Sequence, residues 1–315
     1  MTATDAPEAI FEQHRRQLTA YCYRMLGSAF DAEDAVQETM IRAWRNRDRS
    51  GELVSPRAWL FRIATNVCHD MAAGNSRRAR PVDLGPATPD PLDPGTPLPT
   101  HAWVEPTPGD AGDPAEIAVV RESVSLAFVA ALQNLPVTQR AVLLLREVLR
   151  LSAAEVAELL DSSVPAVNSL LQRARATLAA TQIPAVSSLD GSKQALLARY
   201  VDAFQRFDMD ALMLLLHVDA TLSMAPHTVW LSGADQLRRW WTGAAIGCRG
   251  SRLIPTVANG APAFGQYRPS VTGAGFDPWA LQVLHLSEDR IVAIESFLDT
   301  KRLFPLFQLP DRIDA

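Results

Sequence analysis

Two sets of side chains in this chain have chemistry that could act on another molecule. The first lies in the stretch Leu151 to Leu178, LSAAEVAELLDSSVPAVNSLLQRARATL, where Pro165, Asn168, Ser169, Gln172 and Arg173 share one face of a helix at 100° per residue. Amide, hydroxyl and guanidinium groups on one face suit a nucleic-acid groove, because they can hydrogen-bond phosphates and base edges. A helical hairpin with a solvated polar face fits the same residues, and the stretch alone leaves both readings open. The second set is the ionisable groups of the last third: His217, Asp219, His227, Tyr267, His285 and Glu295. Acid–base catalysis needs a positioned proton carrier. No pair among these has a spacing that identifies a mechanism, and a lone histidine on a strand, as His285 is, ordinarily has a structural role. Trp230, Trp240, Trp241 and Trp279 suit either a pocket wall or a plain core. His217, Trp230, Trp241, Tyr267 and His285 are the candidate ligand-pocket residues.

Metal and cofactor chemistry has no foothold. Cys22, Cys68 and Cys248 lie far apart, with no CxxC and no histidines at zinc-ligand spacing, so they read as reduced, buried thiols. A net charge of −5 argues against a protein that coats nucleic acid non-specifically, since Lys and Arg supply most of that affinity. The charge is uneven, however. Arginines dominate from Arg42 to Arg80, and Arg77, Arg78 and Arg80 close that segment.

The elements that must position these groups can be read from periodicity and caps. Ser152 with Glu155 three residues on is a capping box that starts a helix bearing Val156, Leu159 and Leu160. Asp161, Ser162 and Ser163 then supply a turn, and Ser163 ahead of Pro165 opens a second helix, with Val167, Leu170, Leu171, Ala174 and Leu178 toward a core. Two short helices at a tight corner make a helix-turn-helix. Upstream, the pattern is helical from Glu8 until Gly27 and Ser28 stop it. Asp31 starts a second helix, acidic in its first turn and basic in its last, as the helix dipole favours. Val36, Met40, Ala43 and Trp44 supply its core face. A third helix runs from about Pro56 to Gly74 with Trp59, Leu60, Ile63, Val67 and Met71 inward, and Arg57, Arg62, Asn66 and His69 outward. That outer face, followed by the arginines, could hold a nucleic-acid strand.

Between Pro81 and Pro114 sit ten of the chain's 22 prolines, with few aliphatics. Such a segment cannot make its own core and reads as a semi-stiff linker. Helical pattern resumes near Pro114, so residues 115–181 make a compact helical unit ending in the reader helix. After Gly191 strands appear: Ala220 to Met224, Val229 to Leu231, Arg252 to Ala258, Ala263 to Arg268, and Trp279 to Leu286 paired through a turn with Ile291 to Leu298. Helices at one end of a curved antiparallel sheet give an α+β unit. The chain has room for two or three domains. It has no run of eighteen apolar residues and no basic, apolar start, so no membrane association and a cytoplasmic location are expected.

DAEDAVQETMIRAWR, then WLFRIATNVCHD with its trailing arginines, then SAAEVAELLDSSVPAVNSLLQRARATL, resemble an extracytoplasmic-function (ECF) sigma factor of bacterial RNA polymerase. LLARYVDAFQRFDMDAL and VANGAPA in residues 191–315 resemble the SnoaL-like, ketosteroid-isomerase-like cone. The resemblance implies a multidomain chain: an all-α region 2 bundle over 8–80, a linker over 81–114, an all-α region 4 helix-turn-helix over 115–181, and an α+β cone over 191–315. It implies core polymerase and promoter DNA as partners, through the β′ clamp helices and the β flap. Asp34, Gln37, Glu38 and Arg42 would dock on the clamp helices. Arg62, Asn66, His69, Arg77 and Arg78 would meet the −10 element, with Asn66 matching the family asparagine that contacts a flipped-out base, whose edge a duplex hides. Pro165, Asn168, Ser169, Gln172 and Arg173 would read the −35 element in the major groove. Many relatives carry Arg where this chain has Asn168 and Leu170, and Ser50 stands in the loop where some place an aromatic beside the flipped base.

On this reading the chain has no catalytic chemistry of its own, and the cone modulates the sigma domains, with a small ligand as a candidate partner. The alternatives are a one-component DNA-binding regulator or a cone-fold enzyme with a DNA-binding module. Fold alone does not decide between them.

Overall fold

The computed structural model describes residues 6–46, 55–73, 77–90, 92–109, 125–180 and 191–314. Ser50 lies outside the described residues, as do the start of the second helical unit near Pro114 and its expected end at 181. The chain forms two compact units. The first runs to Arg78 and takes in Val104–Pro106 and the described part of Gly112–Pro184; the second takes Ala79–Trp103, Thr107–Ala111 and Ala185–Ala315.

In the first unit α1 (Ala6–Leu26) ends at Gly27, whose φ of 73° is left-handed and therefore suits glycine. Ser28 caps α2 (Ala29–Arg45), accepting from the Asp31 amide at 3.2 Å. The helix thus starts before Asp31, because a serine at the N-cap satisfies a donor that the acidic turn alone would leave open. α3 (Pro56–Ala73) packs on both. Tyr21 and Phe61 meet edge to face, and the Tyr21 hydroxyl reaches Thr65 at 2.7 Å. α4 (Leu126–Gln133) and α5 (Val137–Leu143) follow, the latter running into a π-helical turn over Leu144–Val148. α6 (Ala153–Leu159) has the expected capping box, and α7 (Val164–Ala179) starts at the N-cap Ser163. Asp161, at φ 47°, makes the corner between them.

The two helical groups are not independent. Arg140, 6% exposed, donates to the carbonyls of Leu132 (2.9 Å), Leu135 (3.1 Å) and Met25, and to Gln133 Oε1 (2.7 Å). Burial lowers its pKa to about 10. Glu105 packs on the junction of α1 and α2: its amide donates to the Gly27 carbonyl, its carbonyl accepts from Tyr23, and its carboxylate accepts from Ser28.

In the second unit α8 (Gly191–Arg206) and α9 (Met209–Met213) precede β1 (Leu216–Ala225) and β2 (Trp230–Ser232). α10 (Ala234–Thr242), β3 (Arg252–Ala258), β4 (Ala261–Pro269), β5 (Phe276–Ser287), β6 (Arg290–Phe297) and α11 (Thr300–Leu306) complete it. The sheet order is β2-β1-β6-β5-β4-β3. It is mixed, since β1 and β6 run parallel while the other pairs are antiparallel. The antiparallel expectation missed this pair, which is separated by most of the domain. A register shift at Gln266/Tyr267 bends β4 against β5 and helps the sheet curl.

The proline-rich segment is not a free spacer. Thr88 donates from its amide to the Trp230 carbonyl (2.8 Å), Thr228 to the Thr96 carbonyl (3.2 Å), and Leu98 to the Pro226 carbonyl (2.9 Å), so Thr88, Thr96 and Leu98 line β2 and the turn before it. Residues 107–109 line the other edge: Asn259 donates to Thr107 and Gly109 donates to Val257. A segment without a core of its own has taken up the two open sheet edges, which otherwise invite mispairing.

Candidate nucleic-acid interface and C-terminal cavity

Pro165, Asn168, Ser169, Gln172 and Arg173 are all exposed on α7, while Val167, Leu171 and Ala174 face inward and are buried. Leu170 and Leu178 are only half-buried, so the inward stripe is narrower than periodicity suggested. On α3, Arg62, Asn66 and His69 are exposed on one face at i, i+4 and i+7. Arg62 is engaged by the Asp161 carboxylate from the corner of the helix-turn-helix. Arg77 is exposed, but Arg78 is not available to a phosphate: it is 6% exposed, pairs with Asp31 at 2.5 Å and stands 3.9 Å from Glu105. Two neighbouring carboxylates made its burial favourable, and neither is adjacent in sequence.

On α2, Asp34 and Gln37 are exposed, whereas Glu38 and Arg42 are half-buried and bound to each other at 2.7 Å. Arg42 also reaches Asp70 at 3.0 Å, which ties the helix to α3. Trp44, expected in the core, is 41% exposed, and Ile41 is 44% exposed. Ile41 lies one and two turns beyond Glu38 and Asp34, so the polar stripe continues into an apolar one. The signal was there in the i, i+3, i+4 spacing, but an apolar residue reads as core by default.

In the second unit the curved sheet and α10 enclose a cavity of about 300 Å³, with Leu222, Met224, Trp240, Trp241, Ile294 and Leu298 among its apolar walls. Of the five candidate pocket residues only Trp241 lines it. His217 is exposed at the start of β1. Trp230 turns to the proline-rich segment, donating from Nε1 to the Gly85 carbonyl at 3.0 Å. Tyr267 packs on Phe304 of α11 and donates to the Pro310 carbonyl at 2.8 Å, and burial raises its pKa to about 12. His285 and Glu295 alternate with the cavity-lining Gln282, Ile294 and Ser296 and so lie on the opposite face of the sheet. Strand parity explains all of these: adjacent strand residues face opposite ways, and which parity is inward could not be assigned without the register.

Glu295 is buried, 3.4 Å from His285 Nε2 and 3.4 Å from Arg80 Nη1. Burial alone would push its carboxyl up, but the His285 ring and the Arg80 guanidinium outweigh it and hold the pKa below the ordinary range. Arg80 pairs with Asp83 as well, at 3.1 Å. This cluster fixes the beginning of the proline-rich segment to the convex face. Of the six ionisable candidates, His227 lines the cavity, and the other polar groups there are ones that sequence reading passed over. The Tyr200 hydroxyl donates to Gln282 Oε1 (2.8 Å), Gln282 Nε2 to Gln266 Oε1 (2.9 Å), and Gln266 Nε2 to Ser251 Oγ (3.0 Å). The cavity lining holds no aspartate or glutamate, and among the described residues no group of three or more His, Cys, Asp or Glu could hold a metal.

Family models match three stretches of the chain. Sigma-70 region 2 matches residues 10–78, Sigma-70 region 4 matches 125–178, and a SnoaL-like domain matches 197–294. The ECF RNA polymerase sigma factor SigG of Mycobacterium tuberculosis is 43% identical over 96% of this chain and 83% of its own length. The chain belongs to the ECF RNA polymerase sigma factors. SigJ of the same organism is 30% identical over 74% of this sigma factor and 71% of its own length. The crystal structure of SigJ superposes with a TM-score of 0.63 at 24% identity, covering 95% of this sigma factor and 99% of that chain, so the whole fold is shared. No helix among the described residues of this sigma factor is long and apolar enough to cross a membrane.

Proposed function

We propose that this sigma factor binds core RNA polymerase through the outer face of α2 and reads promoter DNA at two points, while the C-terminal unit modulates it by holding the proline-rich segment. The observation that carries the reading is the pairing of two exposed polar faces on two separate helices: Arg62, Asn66 and His69 on α3, and Asn168, Ser169, Gln172 and Arg173 on α7. A free-standing duplex reader needs only the second. Asp34, Gln37, Ile41 and Trp44 combine charge with exposed apolar area, which suits a protein partner rather than solvent. Asn66 is placed to receive an extruded base, and Arg77 to hold a phosphate. Comparatively few exposed cations limit duplex affinity, so polymerase supplies the remainder.

Modulation rests on the docking of residues 79–103 and 107–109 to the C-terminal unit. Fully extended, the chain between Arg78 and Ser125 could span about 150 Å at roughly 3.3 Å per residue. With much of it laid along two sheet edges, the reach available to the two sigma regions is far shorter. Releasing or retaining the segment therefore sets how far they can separate. Run-off transcription with core polymerase, comparing the full chain with a form ending at Thr181, tests this. We expect the two to differ in activity or in core affinity, and equality in both would refute modulation. A duplex-binding assay without polymerase separates this reading from a one-component regulator, which would bind promoter duplex tightly alone.

A further inference from the structure

Arg268 lines the cavity, and its charge has no answer within the unit. Its guanidinium carbon stands 3.2 Å from the centroid of the Trp279 ring, Nη2 is 3.0 Å from Cys248 Sγ, and Nε is buried without a hydrogen-bond partner. Among the described residues no carboxylate lies within 4.0 Å of it. Asp277, its cross-strand partner, is instead 3.9 Å from Arg312 Nε. Arg268 is half-buried, and within the unit its guanidinium meets a thiol and an indole but no carboxylate, so its lost water is only partly replaced. Stacking on Trp279 compensates in part and holds the guanidinium in one plane.

The rest of the cavity describes what would supply the counter-charge. The indoles of Trp240 and Trp241 give broad flat walls, and Leu222, Met224 and Ile294 make the remainder apolar. At the polar end, the chain from Tyr200 to Ser251 uses one N–H of each of Gln266 and Gln282, and both amides line the cavity. A volume of about 300 Å³ is at the small end for small-molecule sites. Pro94 is part of the wall, contributed by the proline-rich segment. That segment is seated closely beside it: a Cβ on Gly243 would fall 2.5 Å from Leu92 Cδ2, and one on Gly95, at φ 69°, 2.6 Å from Thr228 Oγ1.

We propose that the cavity is a binding site for a small, flat, apolar monoanion, an aromatic carboxylate or phenolate, held by Arg268 at its charge and by Trp240 and Trp241 along its ring. Because Pro94 belongs to the wall, the ligand favours the state in which the proline-rich segment is docked. This second statement rests on the modulation reading; the site itself does not.

The probe is 1-naphthoate, with its neutral isostere 1-naphthamide, titrated calorimetrically into the full-length chain. We expect naphthoate to bind at least tenfold more tightly, and Arg268→Gln to abolish that preference while leaving naphthamide affinity within about twofold. Equal affinities in the unmodified chain, a preference that survives Arg268→Gln, or no binding of either probe would overturn the site. Should Arg268→Gln misfold, Ala244→Phe, at an exposed position on the cavity wall, serves in its place: it should weaken both probes tenfold or more, and unchanged affinity would overturn the site. Saturating naphthoate should also slow hydrogen exchange at the amides of Thr88 and Leu98 at least threefold. Tight, Arg268-dependent binding with unchanged exchange and unchanged run-off transcription would uphold the site and refute the coupling alone.

Discussion

Arg77 and Arg78 are neighbours in sequence with opposite surroundings, one exposed and one sealed between Asp31 and Glu105. Removing a partner of a buried ion pair leaves an uncompensated charge, so Arg78→Ala should cost about 3–5 kcal/mol in urea unfolding, while Arg77→Ala should change stability by less than about 0.5 kcal/mol. Promoter binding should respond the other way, weakening in Arg77→Ala without loss of fold. Glu295 makes a pH prediction. Its pKa is lowered in the folded chain, so its contribution is present above the unfolded value of 4.5 and is lost as pH falls through the lowered folded value. Glu295→Gln should therefore cost about 1–3 kcal/mol at neutral pH, and the gap from the unmodified chain should narrow below about pH 4.5. Urea midpoints at several pH values check this, and a constant gap would contradict it. At this scale the reading faces of α3 and α7 were legible because helical spacing places side chains by itself. The partners of Arg78, Arg268 and Glu295 were not, since each comes from a different element, brought alongside only by the tertiary fold.

Elements whose ends carry their own chemistry could be read directly. Ser152 with Glu155 and Ser163 with Pro165 start α6 and α7 as the residues imply, because caps satisfy backbone donors locally. The parallel pairing of β1 with β6 and the docking of Thr88, Thr96 and Leu98 beside β2 depend on which edges remain open after the sheet assembles, which no local pattern records. α2 lies between these cases: its charge order was legible, but the burial of Trp44 was assigned by residue type. Since Trp44 is 41% exposed, Trp44→Ala should change unfolding by less than about 1 kcal/mol yet weaken core polymerase binding tenfold or more if α2 is the docking face. A pull-down titration with core polymerase separates the two effects. Asn66→Ala should do the reverse, keeping core affinity and lowering run-off transcription at least tenfold, because on the proposed reading it removes a contact made only to the opened strand.

For the molecule as a whole, the first unit sets a geometric problem that the promoter must resolve. The −10 and −35 elements lie roughly 25 base pairs apart, about 80 Å along a duplex at about 3.4 Å per step. A compact unit of about 150 residues has a radius of gyration near 15 Å, so α3 and α7 cannot occupy both elements while packed together. On the proposed two-point reading, initiation therefore requires the two sigma regions to part, and the contacts to be broken are identifiable: Arg140 on the Met25 carbonyl, Gln133 on the Arg24 carbonyl, and Arg62 on Asp161. The last also occupies a cation of the face proposed for the −10 element. Asp161→Asn removes that pair while keeping a residue type that tolerates the left-handed backbone at φ 47°. Both partners are substantially exposed, so the pair is worth less than about 1 kcal/mol and its loss should raise run-off transcription by no more than about fivefold. The gain should shrink at high salt, which screens the pair in the unmodified chain. Unchanged or lower activity in Asp161→Asn would mean that Arg62 does not limit opening, leaving the buried Arg140 contacts as the barrier that polymerase must overcome.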